Sequence, residues 1–501
     1  MNLLLLLDMA AAGRGDEVVV QSGDERLTAG ELLTSAWAGA EVAAGAAALA
    51  YVGTNGLAFP IGLFAAAAAG VPFVPLNYRL SDDQLHDLLT PLGDVVVVAE
   101  GKAAEALAAR GHHVVDTAAF VATARAGTDA GEVPEDGESP AVLLYTSGTT
   151  AAPKAAVLRH RHLTSYVIGT VEFGGAGPED AVLVSVPPYH VAGLANLLSN
   201  LYLGRRIVYL GQFDAAAWIA AVRRHGITQA MVVPTMLARI CDVLDTDADT
   251  DADSGGLPSL RALSYGGART PATVLQRVMT LLPDVELTNA YGLTETSSTI
   301  AVLGPDDHRA ARDGDLAATV RLASAGRVLP TIELQVRGPD GSPVPAGDPG
   351  EIWVRGEQVS GEYAGREAPL DDDGWFPTRD RGWVDPDGYL FIEGRSDDTI
   401  IRGGENIAPA EIEEVLLQHP DIEQCAVVGV PDDEWGQRIA VAIVVRAGAT
   451  LDATAVQDFA RQSLRGSKTP EVVSFTAELP YTETGKLLRR VVQADLIGAG
   501  P

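Results

Sequence analysis

The chain reads Leu143-Leu144-Tyr145-Thr146-Ser147-Gly148-Thr149-Thr150-Ala151-Ala152-Pro153-Lys154. An apolar, strand-like run enters a loop dense in hydroxyls and the loop ends at a cation. Backbone N–H groups and hydroxyl donors of such a loop wrap phosphate oxygens, and a lysine adds a point charge without demanding fixed geometry. The loop is not a Walker A motif, because Pro153 precedes Lys154 and Ala155 follows it, where that motif needs glycine and then Ser or Thr. A kinase-type P-loop nucleoside triphosphatase is thereby disfavoured.

Around this loop, apolar β-branched runs at 95–98, 182–186 and 231–233 each follow a helical stretch, as repeated βα units require for buried, mostly parallel strands. Residues 30–70, rich in Ala and Leu, have helical spacing and lead into a strand-like run at 70–77. From Ile332 the pattern changes to short alternating strands split by turns such as Gly338-Pro339-Asp340-Gly341. After Gly394-Arg395 a new unit begins, with a helix around 409–419 and strands near 425–430 and 439–445.

The expected class is therefore α/β. Residues 1–395 form a large N-terminal body that ends in a small β subdomain at about 325–395, and residues 396–501 form a small α+β C-terminal domain. A chain of 501 residues is too long for one compact core, which agrees with the division. The acidic run at 245–256 self-repels and reads as a solvated surface loop.

The formal net charge of −31 repels nucleic acid and anionic membranes, so an anionic ligand needs a local cluster of cations. Cys241 and Cys425 lack metal-ligand spacing and fit a reducing compartment. The apolar run at 3–7 meets Asp8 at once and is too short to span a bilayer. A cytoplasmic enzyme that neither enters a membrane nor binds nucleic acid is expected.

Further stretches follow in order: Pro187-Pro188-Tyr189-His190-Val191-Ala192-Gly193, Gly266-Gly267-Ala268, Asn289-Ala290-Tyr291-Gly292-Leu293-Thr294-Glu295, Thr378-Arg379-Asp380, Gly394-Arg395-Ser396-Asp397, Arg402-Gly403-Gly404-Glu405 and Thr482-Glu483-Thr484-Gly485-Lys486. With the hydroxyl loop, they resemble the motifs of the adenylate-forming superfamily, on its acyl-CoA synthetase and 4-coumarate–CoA ligase-like side. The matches run in the family's order across roughly residues 140–490.

That resemblance implies an enzyme that activates a carboxylic acid with ATP and Mg²⁺ as its acyl-AMP, then passes the acyl group to coenzyme A. Thr146, Ser147, Gly148, Thr149, Thr150 and Lys154 would hold phosphates. Gly267, Ala268, Asn289, Ala290, Tyr291 and Gly292 would frame the adenosine, with the Tyr291 ring on adenine. Asp380 would take the ribose hydroxyls, Arg395 would touch the nucleotide, and Thr294 the α-phosphate. Glu295 would hold the metal, as suits a hard cation.

By the same resemblance, Lys486 would bridge carboxylate and α-phosphate during adenylation. Asp397 would be the hinge on which the small domain turns between half-reactions, bringing Gly403, Gly404 and Glu405 to the pantetheine arm. His190, Gly193 and Gly266 would border the acyl pocket, where small residues leave room for an apolar aryl, alicyclic or medium-chain acid. Two other readings stay open: transfer to a carrier protein's phosphopantetheine, and a non-catalytic nucleotide-binding regulator. The chain departs from the family at Ala151, Ala155 and Arg379, each standing for a glycine, and the two alanines imply a stiffer phosphate loop.

Overall fold

A computed structural model describes residues 1–146, 154–250, 256–395, 398–402, 405–432, 434–482 and 487–498. Two sheets form the body. In the smaller, five parallel strands lie in the order His113–Asp116, Val95–Ala99, Ala48–Val52, Phe73–Pro75 and Pro140–Thr146, and Lys154–Arg159 closes the edge antiparallel.

The larger sheet has 13 strands. Its parallel block runs Glu286–Leu293, Ala262–Gly266, Gln229–Val232, Ala181–Val184, Arg206–Tyr209 and Val18–Ser22. Antiparallel strands extend it through Ser298–Leu303, Gly326–Val328, Tyr389–Arg395, Phe376–Val384 and Gly350–Arg355 to Glu333–Arg337.

The core between the sheets takes residues from both, including Phe59, Phe73, Val142, Leu197 and Ile207. Helix Ala58–Ala69 is buried at every position from Ala58 to Ala67, as an all-apolar helix sandwiched between layers must be. Leu3, Leu4, Leu6 and Leu7 enter the same core at 0% exposure. Among the described residues no helix is long and apolar enough to cross a membrane.

Past residue 398, strands Ile422–Asp432 and Gly436–Val445 pair antiparallel, and Val472–Phe475 joins parallel. Helices Pro409–Leu416 and Ala453–Ser463 pack on one side of this sheet around Ile412, Val427, Val441 and Val456.

Two expectations need correction. Residues 30–70 are not continuously helical, because strand Ala48–Val52 separates helices Ala29–Val42 and Ala58–Ala69. All five of its residues are buried, so it has no period-2 alternation to betray it. The strands at 326–395, where a small β subdomain is expected, continue the body's larger sheet.

Lastly, the acidic run begins inside helix Pro234–Thr250. Met236, Leu237, Ile240, Cys241 and Leu244 bury one face of that helix, and Arg277 pairs with Asp242, just before the run, and with Asp245, its first carboxylate.

Candidate active site

The hydroxyl loop connects two antiparallel strands, with Lys154 directly opposite Thr146. Thr146 Oγ1 donates to the Lys154 carbonyl across 3.3 Å. Ser147, Gly148, Thr149 and Thr150 lie outside the described residues, as do Asp397, Gly403, Gly404 and Lys486. Ala155 sits in the strand, paired with Tyr145, and has no positive φ. The expected stiffening therefore does not arise at Ala155, because the backbone there is extended and asks nothing of glycine.

Glu295 lies in a 3-10 turn, Thr294–Thr296, that Gln358 holds in place. Gln358 Nε2 donates to the carbonyls of Thr296 and Thr299 at 3.0 and 2.8 Å, and its own carbonyl accepts Ser297 Oγ. Ser360 N–H adds a bond to the Glu295 carbonyl at 2.8 Å. The segment that carries Gln358 and Ser360 is itself tied to the other sheet, where Val157 N–H donates to Glu362 and Arg159 forks onto the Glu362 carboxylate at 2.7 and 2.9 Å. Both sheets thus converge on one carboxylate.

Tyr363, from the same segment, donates its hydroxyl to Glu295 Oε1 at 2.5 Å, and Lys154 Nζ stands 5.6 Å from the centre of its ring. Burial and the neighbouring carboxylate push the Tyr363 pKa up, so the hydroxyl stays protonated and keeps donating. Sequence reasoning missed Tyr363, Gln358 and Ser360, since their importance comes from contacts across the fold.

A second cluster lies beside the first. Tyr291 donates to Asp380 Oδ2 at 2.6 Å, and Arg395 donates to Asp380 Oδ1 at 3.1 Å. Asp380 is 7% exposed, and its carboxylate retains lone pairs for two more donors. Burial works against the Arg395 charge, but Asp380, Glu295 and Tyr291 raise its pKa on balance. Arg395 Nε is buried without a partner among the described residues, as suits a donor awaiting a ligand oxygen. Two hydroxyl-to-carboxylate contacts, an unmatched arginine N–H and a nearby lysine fit a nucleotide with its divalent ion.

The remaining calls are placed unevenly. Asn289 spends its amide on the Ser324 carbonyl at 3.2 Å. Gly267 has φ +83, which glycine tolerates without strain; Ala268 follows it. Gly266 runs against strand Glu286–Leu293, where an added Cβ would lie 2.2 Å from the Ala290 carbonyl oxygen.

A Cβ at Gly193 would meet the Pro187 carbonyl oxygen at 2.7 Å, and one at Gly292 the Ser298 oxygen at 1.7 Å. Gly193 and Gly266 therefore serve close backbone approach rather than roominess of a pocket, which corrects that argument. His190 caps helix Val191–Leu203 beside the Tyr189 ring, and burial lowers its pKa to about 4, leaving it neutral. Glu405 lies in a two-stranded hairpin opposite Arg402.

Residues 7–364 match the family described as AMP-binding enzyme, and residues 411–486 match the AMP-binding enzyme C-terminal domain. A feruloyl-CoA synthase of Amycolatopsis sp is 35% identical over 450 residues, 89% of this chain and 88% of that one. An indoleacetate–CoA ligase of Aromatoleum aromaticum is 33% identical over 457 residues, 88% of this chain and 86% of that one. Among solved structures, o-succinylbenzoate CoA synthetase from Bacillus subtilis, in complex with its acyl-adenylate intermediate, is 26% identical with a TM-score of 0.83, and 97% of each chain is covered.

Proposed function

We infer that this chain, which belongs to the AMP-binding enzyme family, is an ATP-dependent acyl-CoA synthetase. A carboxylate is a poor acyl electrophile. Its attack on the α-phosphorus of ATP expels pyrophosphate and leaves an acyl-AMP whose AMP departs readily. The thiol of coenzyme A then attacks the acyl carbon and AMP leaves.

The observation that carries the assignment of roles is the meeting of Tyr363–Glu295 and Tyr291–Asp380–Arg395 in one place. Tyr291 and Asp380 hold adenosine, the carboxylate taking both ribose hydroxyls. Arg395 satisfies its unmatched Nε on a nucleotide oxygen. Thr146, the loop after it and Lys154 draw in phosphates, and Thr294 takes the α-phosphate.

Glu295 holds Mg²⁺, which when bound neutralises the charge that builds on the leaving pyrophosphate. Lys486 stabilises the pentacovalent charge at phosphorus, so its loss slows adenylation more than thioester formation. We place the domain boundary at residues 395 and 396. The separate core around Ile412 and Val441 supports that division.

For the acid we propose an aryl-bearing carboxylic acid. Two relatives are named for feruloyl and indoleacetate substrates, and these favour the aryl member of the expected aryl, alicyclic or medium-chain acids. Acid-dependent exchange of labelled pyrophosphate into ATP tests this across a panel of aryl and aliphatic acids. Exchange greatest with an aryl acid supports the proposal, and acetate as the best substrate overturns the substrate class.

A further inference from the structure

Three non-glycine residues among those described have positive φ: Ser297, Ser298 and Arg379. Ser297 and Ser298 follow Glu295, and Arg379 precedes Asp380, so all this backbone strain lies beside the two site carboxylates. Strain persists where surrounding structure over-determines it, and it concentrates at functional sites.

At the two serines the cause is visible, since Ser297 Oγ bonds the Gln358 carbonyl and the turn presents Glu295. At Arg379 the side chain needs its own explanation. The family's motif carries glycine here, which would adopt φ +60 without strain.

The local geometry sets Arg379 apart. Glu351 pairs with Arg381 and Trp353 with Pro377, so Thr378, Arg379 and Asp380 bulge opposite the single residue Ile352. Thr378 and Asp380 are buried and bonded to each other, whereas Arg379 is exposed. Its neighbours are paired, Arg381 with Glu393 and Arg395 with Asp380. No carboxylate among the described residues pairs with Arg379.

We propose that Arg379 is a further substrate-binding residue whose guanidinium donates to a phosphate oxyanion of a nucleotide substrate. A chain of net charge −31 needs local cations to draw such an anion in, and a bulge tip that holds the ribose carboxylate beside it is well placed. The proposal rests on the acyl-CoA synthetase reading. The phosphates of ATP and those of coenzyme A share this chemistry, and the experiment separates them.

The full-length protein and its Arg379→Gly and Arg379→Lys variants are compared in three measurements: ATP–Mg²⁺ binding by calorimetry, the ATP KM in pyrophosphate exchange without CoA, and the CoA KM in acyl-CoA formation. The glycine variant is expected to melt no lower than wild type, because φ +60 suits glycine. Its ATP affinity is expected to fall roughly tenfold, as for loss of a charge-assisted bond, with lysine in between.

An effect confined to the CoA KM assigns the anion to CoA and still supports the proposal. A glycine variant with unchanged ATP binding and an unchanged KM for both substrates overturns it. Wild-type protein that exchanges no pyrophosphate with any acid contradicts the synthetase reading instead, and the calorimetric comparison still decides the role of Arg379 toward ATP.

Discussion

The Tyr363 hydroxyl donates to Glu295 Oε1 across 2.5 Å, joining a segment stitched to the smaller sheet with a turn of the larger one. The phenol fixes the direction in which the other carboxylate oxygen faces. If Glu295 holds Mg²⁺, Tyr363 is its positioning residue. Tyr363→Phe is expected to raise the Mg²⁺ concentration for half-maximal pyrophosphate exchange about tenfold, the scale of one hydrogen bond to a charged group, with little loss of melting temperature. An unchanged Mg²⁺ dependence contradicts this role.

Asp380 has two jobs, accepting Tyr291 and neutralising Arg395. Asp380→Asn keeps the shape but removes the charge beside a guanidinium that is 31% exposed. The variant is expected to lose about 2 kcal/mol of stability and most of its ATP affinity, read by denaturant melts and calorimetry. Retained ATP affinity contradicts the assignment of Asp380 to the nucleotide.

Gly266→Ala places a Cβ 2.2 Å from the Ala290 carbonyl oxygen, whereas Gly304→Ala meets nothing within 4 Å. The first is expected to cost about 3 kcal/mol by forcing two paired strands apart, the second well under 1 kcal/mol. Equal melting temperatures for the two variants contradict the reading of Gly266 as a close-approach residue.

His160 and His162, both 1% exposed, use Nδ1 to accept the backbone N–H groups of Leu3 and Arg159. Protonation destroys that acceptor. Burial lowers their pKa values to about 4 and about 3, below the ordinary 6.5. Below pH 6.5 the unfolded chain therefore binds protons that the folded one refuses, so this stability is complete above 6.5 and lost as pH falls toward the folded values. At about pH 5.5 each histidine is expected to cost about 1.4 kcal/mol. His160→Gln is expected to flatten the fall in melting temperature between pH 7 and 5, and an unaltered slope contradicts the account.

Tyr291, Glu295, Asp380 and Arg395, which the structure brings together, could be singled out in the sequence because each sits in a short run of adjacent motif residues. Tyr363 was not, since it meets Glu295 across 68 positions of chain, and nothing near Gly361-Glu362-Tyr363 marks it locally. The α/β class and the C-terminal strands were readable from apolar runs. Strand Ala48–Val52 was not, because a strand buried on both faces has the same Ala and Leu composition as the helices beside it. Gly193 and Gly266 looked like pocket space, yet the atoms that forbid a side chain there are carbonyls of distant or folded-back backbone.

The central claim is that one site forms an acyl-AMP and then delivers its acyl group to coenzyme A. Purified protein incubated with ATP, Mg²⁺ and a panel of carboxylic acids, with and without CoA, is analysed by mass spectrometry. The account predicts acyl-AMP without CoA and acyl-CoA plus AMP with it. An acyl-AMP that persists in the presence of CoA, or no adenylate from any acid, contradicts it.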